Sequence, residues 1–414
     1  MSSAAMPPLE PSAPAARSAD AVARRSLAVP GRLASLDALR GLIMVLMAID
    51  HASYFIAKVH PGEFWGVPLP RYPDGLAFFT RFVTHFCAPG FFFLMGVSVT
   101  LFAESRRRLG YPEGRIARHL LARGALLIVL EHVLENPAWL LGALGSAVPI
   151  DTRGGGGPPG GGANIRLGFL VLYGLGSTMI VCALLARART ASVVVLSAAA
   201  LLATQALLPG PEQVAVRYPA ALRLLLIPGQ TGTLLVAYPV LPWLGIAGLG
   251  LAFGRVVLDD PARAERTARF GGLAALLAFA ALRAAGGRGD FHPIDQPGLI
   301  GLLNLTKYPP SLAYTLLTVG ANLVVLAMLL RVDIQRVDIQ RWGRPLVVLG
   351  GSALFFYFAH LYLYALVGFA FPAGAALPVM YAVWAAGLCV LYPLSAWYGR
   401  FKQQLRPDSL WRLF

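Results

Sequence analysis

The sequence predicts an all-α fold: a polytopic integral membrane helical bundle of about ten transmembrane helices. Hydrophobic residues make up 57% of the 414 residues and charged residues only 13%, whereas soluble proteins average about 25% charged residues. Ten apolar runs are each about 20 residues long, which is enough for a helix to cross a hydrocarbon core about 30 Å thick. These observations exclude a soluble domain with a single anchor. The net charge of +15 does not indicate nucleic-acid binding, because Arg and Lys also set the topology of membrane proteins.

The predicted spans divide the chain into three regions. Residues 1–31 are rich in Ala, Pro and Ser and lack an apolar core, so we expect a disordered cytoplasmic tail rather than a signal peptide. Residues 32–400 form the transmembrane domain, and residues 401–414 form a basic cytoplasmic tail. The ten spans are expected near residues 35–58, 76–103, 116–138, 165–186, 190–209, 231–254, 269–287, 311–331, 345–370 and 376–398.

Basic residues are distributed unequally between the two sides of this topology. The side that holds the two tails has 23 Lys and Arg residues in the tails, loops and adjoining helix ends, and the opposite side has 10. Because positively charged loops stay in the cytoplasm, both termini are predicted to be cytoplasmic.

Three short segments have unusual composition. Gly154–Gly162 (GGGGPPGGG) is predicted to be a flexible outer loop, and it lacks the GK[ST] of a phosphate-binding loop. The tandem duplication RVDIQRVDIQ at 331–340 lies in an inner loop and carries no evident chemistry. The prolines of Tyr238–Trp243 (YPVLPW) are expected to break the sixth helix, which would expose backbone groups at membrane depth.

The first predicted helix carries titratable residues at both ends. Arg32–His51 reads RLASLDALRGLIMVLMAIDH, and a helix would place Asp37 and His51 roughly 21 Å apart. Asp37 and Arg40 would then lie near the cytoplasmic face on one side of the helix, while Asp50 and His51 would lie in the opposite half of the membrane. Ionisable groups at that depth are costly and indicate function, although such a pair can also serve only helix packing.

Four predicted helices bring titratable residues to one depth, in the outer half of the membrane. His51 ends the first helix, His85 lies ~14 Å into the second, and Glu131 and His360 lie ~23 Å along the third and the ninth. Lys307 reaches the same level from the segment NLTKYPPS that precedes the eighth helix. Since buried titratable groups must face a cavity or each other, we expect His51, His85, Glu131 and His360 to line one cavity.

The motifs of this chain resemble those of a known family. The first helix combines a basic residue, DxxRG and an apolar run that ends in His, which resembles both the heparan-alpha-glucosaminide N-acetyltransferase catalytic-domain family and the related acyltransferase 3 family. Further blocks look like bacterial members of the former family: FFTRFVTHFCAPGFFFLMG (Phe78–Gly96), RGALLIVLE (Arg123–Glu131), YPVLPWLG (Tyr238–Gly245), LNLTKYPPSLAY (Leu303–Tyr314) and GGSALFFYFAHLYL (Gly350–Leu363). The resemblance implies a transmembrane acyltransferase-like domain over residues 32–400 in a bacterial inner membrane.

The resemblance also implies substrates. The animal enzyme of this family takes acetyl from cytosolic acetyl-CoA and delivers it across the membrane to a terminal glucosamine amine. Here it implies acetyl-CoA or another acyl-CoA as donor and a sugar or amino sugar as acceptor, with a homodimer left open. The proposed catalytic His of the family lies in the loop after the first helix, where this chain has His60 in a different and longer sequence. His51 matches the acyltransferase 3 motif and ranks first, and the choice between the two stays open.

Acyl transfer requires a base and the stabilisation of an oxyanion. A His with a near-neutral pKa suits the base role, which we assign to His51. Asp50 points about 100° away from His51 on the helix, so His85 or Glu131 from another helix is expected to orient His51. His360 completes the predicted catalytic set.

Binding roles are assigned to residues at both ends of the bundle. Lys307 would stabilise negative charge, with Asn304 and Ser311 of the same segment in substrate binding. Arg40, together with Asp37, would hold the CoA phosphates, unless the two residues only stabilise the helix end. No metal is expected, because the chain shows no zinc-type His spacing and its three cysteines (Cys87, Cys182 and Cys389) lie in apolar segments without metal-ligand spacing.

The leading functional hypothesis is therefore an integral membrane acyltransferase for N- or O-acetylation. A transporter or permease with a titratable relay is the second hypothesis, but the two halves of the chain show no obvious internal repeat, which many transporters have. A structural membrane protein without activity is the third, and the buried His residues argue against it.

The charge asymmetry predicts the topology. A reporter fused at residue 157 should be extracytoplasmic and one fused at residue 414 should be cytoplasmic, because the side rich in Lys and Arg is retained inside. Paired alkaline phosphatase and green fluorescent protein fusions would measure both positions, and finding the two on one side would contradict the ten-span topology.

Overall fold

The computed structural model describes residues 33–161, 167–214, 216–334 and 343–405. The described residues from Ala34 onward belong to one compact unit. Of the unit Met1–Leu33, the described part is Leu33 alone. The tail predicted for residues 1–31, most of the RVDIQ duplication and residues 406–414 lie outside the described ranges.

Helices make up most of the described chain, and the bounds of the helices and strands follow in chain order. The first part contains α1 (Ala34–Ala52), α2 (Gly75–Phe82), α3 (Cys87–Arg108), α4 (Glu113–Leu130), α5 (Asn136–Leu144), β1 (Leu167–Phe169), α6 (Val171–Leu185), α7 (Thr190–Leu207), α8 (Ala220–Leu225), β2 (Gly229–Thr231) and β3 (Leu234–Val236). The second part contains α9 (Val240–Asp259), α10 (Pro261–Ala284), α11 (Gly298–Leu303), α12 (Leu312–Ile334), α13 (Arg344–Gly351), α14 (Ala353–Val367) and α15 (Leu377–Gln404).

Nine helical segments within the described residues are long and apolar enough to cross a membrane, and α6 is a shorter apolar helix. These ten segments correspond in order to the ten predicted spans. The predicted fold class is therefore confirmed, and the protein is a polytopic integral membrane protein. We call the end of the bundle where α1 begins the tail end, and the end that holds the loop 58–74 the loop end.

A small sheet precedes α9, where a helix was predicted. Its strand order is β1–β3–β2, with β1 parallel and β2 antiparallel to β3. The prediction that the YPVLPW prolines break a helix is wrong. The helix α9 begins at Val240 directly after Pro239, and Pro242 lies in its first turn, where the missing N–H would be unpaired in any helix.

The described membrane segments depart from α geometry at five places. Ser53–Ala57 and Glu131–Glu135 are π turns, and Val83–Phe86 and Gly368–Ala370 are 3₁₀ turns. The ninth span was predicted as one helix, but it is interrupted at Ser352 between α13 and α14. Such short irregular turns re-aim the side chains that follow them and are frequent at functional sites.

Glycines let α1 and α13 touch backbone to backbone at the tail end. A Cβ on Gly41 would overlap the backbone of Leu346, and a Cβ on Gly350 would overlap the backbone of Asp37. Small residues at such contacts are a common way to pack membrane helices, because contact between apolar surfaces gains little in lipid. The first span is thereby fixed against the ninth.

Replacing Gly350 by Val should destabilise the protein, because the new side chain fits only if α13 moves away from α1. Overpacking costs about 1–3 kcal/mol, which thermal unfolding in detergent would detect as a lower midpoint. Gly271→Val on α10 is the matched control, since a Cβ there meets nothing within 4 Å. Equal midpoints for the two variants would contradict the backbone contact.

Candidate functional site

Irregular turns position the predicted titratable residues at the loop end. Asp50 and His51 lie in the last turn of α1, immediately before the first π turn. His85 lies in the 3₁₀ turn between α2 and α3, and Glu131 begins the second π turn. His360 lies in the regular helix α14.

His51 and His360 form a direct pair, although 309 residues separate them in sequence. The His51 Nδ1 lies 2.6 Å from the His360 Nε2, and the two rings stack with centroids 4.8 Å apart. Both side chains are buried. We call these two residues the His pair.

The hydrogen bonds of the His pair assign its tautomers. The His360 Nδ1 lies 2.8 Å from the Phe356 carbonyl oxygen, which can only accept, so Nδ1 carries the proton. In a neutral His360 the Nε2 is then an acceptor, and the His51 Nδ1–H must donate to it. A neutral His51 consequently keeps its lone pair on Nε2, the form that a general base requires. His360, rather than the predicted His85 or Glu131, is the hydrogen-bond partner of His51.

Two further aromatic rings surround His51. Trp139 meets it edge-on with centroids 5.2 Å apart, and Tyr357 lies 6.2 Å away in a similar orientation. Trp139 also lies 5.8 Å from the ring of His60. The indole therefore neighbours both His51 and His60, the two histidines between which the sequence left the choice open.

Arg81 joins two carboxylates in a buried ionic network. Its Nε and Nη2 donate to the two Glu63 oxygens at 2.8 and 2.7 Å, and its Nη1 donates to the Asp50 Oδ1 at 2.5 Å. The His85 Nε2 lies 3.4 Å from the Glu63 Oε1. Two-pronged Arg–carboxylate pairing is among the stronger polar contacts in proteins. We call Asp50, Glu63, Arg81 and His85 the ionic network.

The charge state of Glu63 follows from its neighbours. Burial raises the pKa of this carboxyl, but the Arg81 guanidinium and His85 outweigh that effect and hold the pKa well below its usual range. Glu63 therefore stays ionised at neutral pH and neutralises Arg81.

His60 lies at the edge of the ionic network. Its Nδ1 is 3.9 Å from the Asp50 Oδ1, and its side chain keeps 25% of its surface exposed. Burial lowers the pKa of His60 to about 4, against the opposing charge of Asp50. The imidazole is therefore neutral at physiological pH, and its Nδ1 has no hydrogen-bond partner among the described residues.

The segment that contains Lys307 closes the site against the loop 58–74. The Lys307 and Tyr308 amides donate to the Glu63 carbonyl oxygen at 3.0 and 2.9 Å, and the Trp65 amide donates to the Tyr308 carbonyl oxygen at 2.9 Å. Lys307 is 3% exposed, and its Nζ lies 5.1 Å from the centre of the Tyr308 ring. The backbone pairing thus holds a buried ammonium beside the ionic network.

The other predicted binding residues of this segment contact the protein itself. The Asn304 Nδ2 donates to the Pro70 carbonyl oxygen at 2.9 Å. The Ser311 Oγ accepts from the Tyr314 amide at 3.1 Å, as an N-cap residue does. Both side chains support the loop and the start of α12.

Glu131 has a similar supporting position. Its carboxyl oxygens accept hydrogen bonds from the Leu170 and Tyr173 amides at 2.8 and 2.5 Å. These amides lie at the N-terminus of α6, where a carboxylate satisfies unpaired N–H groups and the helix dipole. Glu131 was predicted to line one cavity with His51 and His360. Its carboxyl group instead binds the N-terminus of α6, while His51 and His360 contact each other.

The predicted tail-end pair is also tied to the fold. Arg40 donates to Asp37 at 2.7 Å, to the Gly350 carbonyl oxygen at 3.3 Å and to the Ser98 Oγ at 3.2 Å. The break at Ser352 leaves the last carbonyls of α13 without helical partners, and Arg40 satisfies one of them. Its side chain remains 22% exposed.

A pocket at the loop end gives access to the ionic network. Its cavity volume is only about 10 Å³, which is room for about one water molecule, and its lining includes Asp50, Ser53, Tyr72, Arg81 and Arg153. Among the described residues, no group of three or more His, Cys, Asp and Glu side chains converges as metal ligands would.

Two residues of the network were not among the predicted site residues. Arg81 lies within the second span and Glu63 in the loop after the first. An Arg inside a membrane segment needs a partner of opposite charge. The position of Arg81 in an apolar segment was therefore a sequence signal that a carboxylate lies close to it.

Comparison with known proteins assigns part of the chain to a family. The family model described as heparan-alpha-glucosaminide N-acetyltransferase, catalytic, matches residues 32–286, which is more than half of the sequence. No curated protein matches the chain. The matched residues include the ionic network, His51 and His60, whereas Lys307 and His360 follow them. The match confirms the resemblance seen in the sequence motifs and supports a membrane acetyltransferase-like activity.

The ionic network predicts a strong dependence of stability on Arg81. Arg81→Met would leave Asp50 and Glu63 buried without their cation, and breaking such a pair costs about 3–5 kcal/mol. The unfolding midpoint should fall sharply at pH 7, whereas Arg71→Met in the exposed part of the loop should leave it unchanged.

The pH dependence provides a second measurement. The depressed pKa of Glu63 stabilises the wild type above the ordinary carboxyl value of 4.5, and this contribution is lost as the pH falls through the folded-state pKa. The gap between wild type and Arg81→Met should therefore narrow on acidification. A gap independent of pH would show that packing, not charge, makes Arg81 necessary.

Proposed function

This chain belongs to the heparan-alpha-glucosaminide N-acetyltransferase catalytic family, and from that premise we propose that it transfers an acyl group from acyl-CoA to a sugar or amino-sugar acceptor. Acetyl-CoA is the proposed donor. The acceptor would reach the loop end from the extracytoplasmic side, with both termini in the cytoplasm. The observation that carries this proposal is the His pair, which lies beside a charged network in the interior of a membrane bundle.

His51 is the proposed general base. Its Nδ1–H is held by His360, so the Nε2 lone pair can take the proton of the acceptor as the acceptor attacks the thioester. The acceptor nitrogen or oxygen forms a bond to the acyl carbon, the carbon–sulfur bond breaks, and CoA leaves as the thiol after it takes up a proton. His360 would act as the positioning residue that fixes the tautomer of His51.

Lys307 is proposed to stabilise the oxyanion that forms on the thioester carbonyl. A preorganised cation in a site of low polarity is effective for this purpose because it needs no reorganisation during the reaction. The backbone pairing of residues 307 and 308 with Glu63 supports this role, since it fixes the start of the Lys307 side chain relative to the ionic network.

The ionic network is proposed to shape the acceptor site. Asp50 is common to the pocket and the network, and Arg81 and Glu63 hold it in place. The pocket holds about one water molecule, so only the reacting amine or hydroxyl of the acceptor would enter it, beside Asp50. Asn304 and Ser311 would contribute by supporting the loop.

The donor is proposed to enter from the tail end. Arg40 remains partly exposed, and Asp37 orients its guanidinium, so the group could meet the CoA phosphates while it still contacts Gly350. Substitution of Arg40 should therefore affect both donor binding and stability.

His60 is a second candidate for the base, because it approaches Asp50 and is partly exposed. A base that remains neutral above about pH 4 is in the correct protonation state throughout the physiological range. Its low pKa nevertheless makes it a weak proton acceptor, since base strength falls with pKa.

Substitution of the two histidines tests the proposal. His51→Gln should lower turnover by about 10² or more, the usual contribution of a general base, and should leave acyl-CoA binding unchanged. The measurement is CoA release from radiolabelled acetyl-CoA by purified protein with a panel of amino sugars. His119→Gln is the control, because that His stacks on Phe102 outside the His pair and the ionic network.

The pH profile distinguishes the two candidates. An acidic limb that persists in His60→Gln and disappears in His51→Gln assigns the base to His51. A limb near pH 4 that disappears only in His60→Gln would transfer the role to His60, because the pKa of that residue is about 4. Near-normal turnover in a folded His51→Gln protein would refute the proposed base.

A further inference from the structure

One buried carboxyl group close to the His pair has no role in the chemistry described so far. Glu135 is the last residue of the second π turn and is 1% exposed. Its Oε2 is buried and has no hydrogen-bond partner among the described residues. An unsatisfied polar atom inside a membrane bundle is costly, so its retention calls for a functional explanation.

Two aromatic side chains present their polar groups to the Glu135 carboxyl. The Tyr357 hydroxyl interacts with it from α14, and the Trp139 indole interacts with it from α5. Trp139 follows Glu135 by four residues, which places both side chains on one face of their helical segment. The Trp139 Nε1 is also buried and has no hydrogen bond of good geometry within the described part of the chain. Both unpaired atoms therefore lie on side chains that already interact with each other.

The second π turn is attached to the helix that carries Tyr357. The Tyr362 hydroxyl of α14 donates to the carbonyl oxygen of Leu134, the residue before Glu135, at 2.9 Å. The Leu172 amide at the start of α6 also interacts with the Glu135 carboxyl. Contacts with three helices thus fix the position of this carboxyl group.

Both aromatic rings also contact the imidazole of His51. Trp139 meets it edge-on with centroids 5.2 Å apart, and Tyr357 does so at 6.2 Å. The Tyr357 ring lies 5.7 Å from that of His360 as well. The bond to His360 fixes one nitrogen of His51, and the flanking rings restrict rotation of the imidazole about that bond. The side chain that holds both rings therefore influences where the His51 Nε2 points.

We propose that Glu135 is a positioning residue, which holds Tyr357 and Trp139 against His51 so that the His51 Nε2 faces the acceptor. This inference rests on the proposed function of His51 as the general base. Glu135 touches no substrate in this role and takes no part in proton transfer. The alternative is a purely structural role, in which the carboxyl only supports the start of α6.

A double-mutant cycle with His51 separates these two roles. Glu135→Leu keeps the approximate size of the side chain and removes its acceptor atoms. Turnover of acetyl-CoA with the amino-sugar panel should fall about 10-fold or more, because displacement of a reacting group by about 1 Å can cost ~10² in rate. The KM for acetyl-CoA should stay unchanged. In a His51→Gln background, Glu135→Leu should have no further effect, because two residues that act through one group are not additive.

Conservative variants complete the cycle. Glu135→Gln keeps an acceptor oxygen for the Tyr357 hydroxyl and the Trp139 indole, so its turnover should stay within about threefold of the wild type. Tyr357→Phe removes one of the two donors and should show the same dependence on His51, which tests the link even if Glu135→Leu fails to fold. Glu104→Leu is the matched control, because that carboxylate pairs with Arg107 and Arg108 at the tail end of α3.

A chemical footprint of His51 gives a measurement that does not depend on acyl transfer. Diethyl pyrocarbonate modifies neutral imidazole nitrogens, and peptide mass spectrometry reports the rate for each histidine. Glu135→Leu should raise the rate at His51 about fivefold, the equivalent of one lost hydrogen bond, whereas Glu135→Gln and Glu104→Leu should not. The rate at the exposed His119 should be the same in all variants, which excludes global unfolding as the cause.

Two results would overturn the proposal. An equal loss of turnover on Glu135→Leu in the wild-type and His51→Gln backgrounds would show that the carboxyl supports only the fold. An unchanged rate of His51 modification in Glu135→Leu would show that the carboxyl does not hold the flanking rings. A wild type that transfers no acetyl group would instead refute the proposed function, and the footprint alone would then decide whether Glu135 positions His51.

Discussion

The contact of Arg81 with Asp50 and Glu63 is the constraint on which the loop end of this protein depends. One guanidinium joins the last turn of α1, the loop 58–74 and the start of the second span, all inside a membrane bundle. Buried charges are tolerated only when they are paired and hydrogen-bonded. The positions of His51, His60 and His85 therefore follow from this pairing, since each lies next to or in contact with one of its carboxylates.

The irregular turns provide the local geometry that the pairing requires. A π turn after His51, a 3₁₀ turn at His85 and a π turn at Glu131 all occur at the loop end. A regular helix would repeat its faces every 3.6 residues, and the inserted turns change which side chains face the interior. Three of the irregular turns therefore coincide with titratable residues, whereas the break at Ser352 lies apart from them.

The sequence predicted the spans because apolar runs of membrane length are a strong local signal, and it predicted the similar depth of His51, His85 and His360 from helical rise alone. It did not predict the partners. The bond between His51 and His360 joins residues 309 positions apart, and the pairing of Glu63 with Arg81 depends on how a loop folds back. Tertiary contacts also determine where the short strands form and where α9 begins. The prolines of YPVLPW lie at the start of that helix and do not interrupt it. The role of Glu131 at the α6 N-terminus depends on a neighbouring helix that residue spacing does not reveal.

The distance between His51 and His360 along the chain has a consequence for biogenesis. A ribosome adds about 5–20 residues per second, so 309 residues take roughly 15–60 s to synthesise. During that interval the first span has entered the bilayer with an imidazole whose hydrogen-bond partner has not yet been translated. Until the ninth span is inserted, the imidazole must form its hydrogen bonds with water, with lipid headgroups or with the insertion machinery. The bond between His51 and His360 forms only when the ninth span enters the bundle, after the first eight spans have been synthesised.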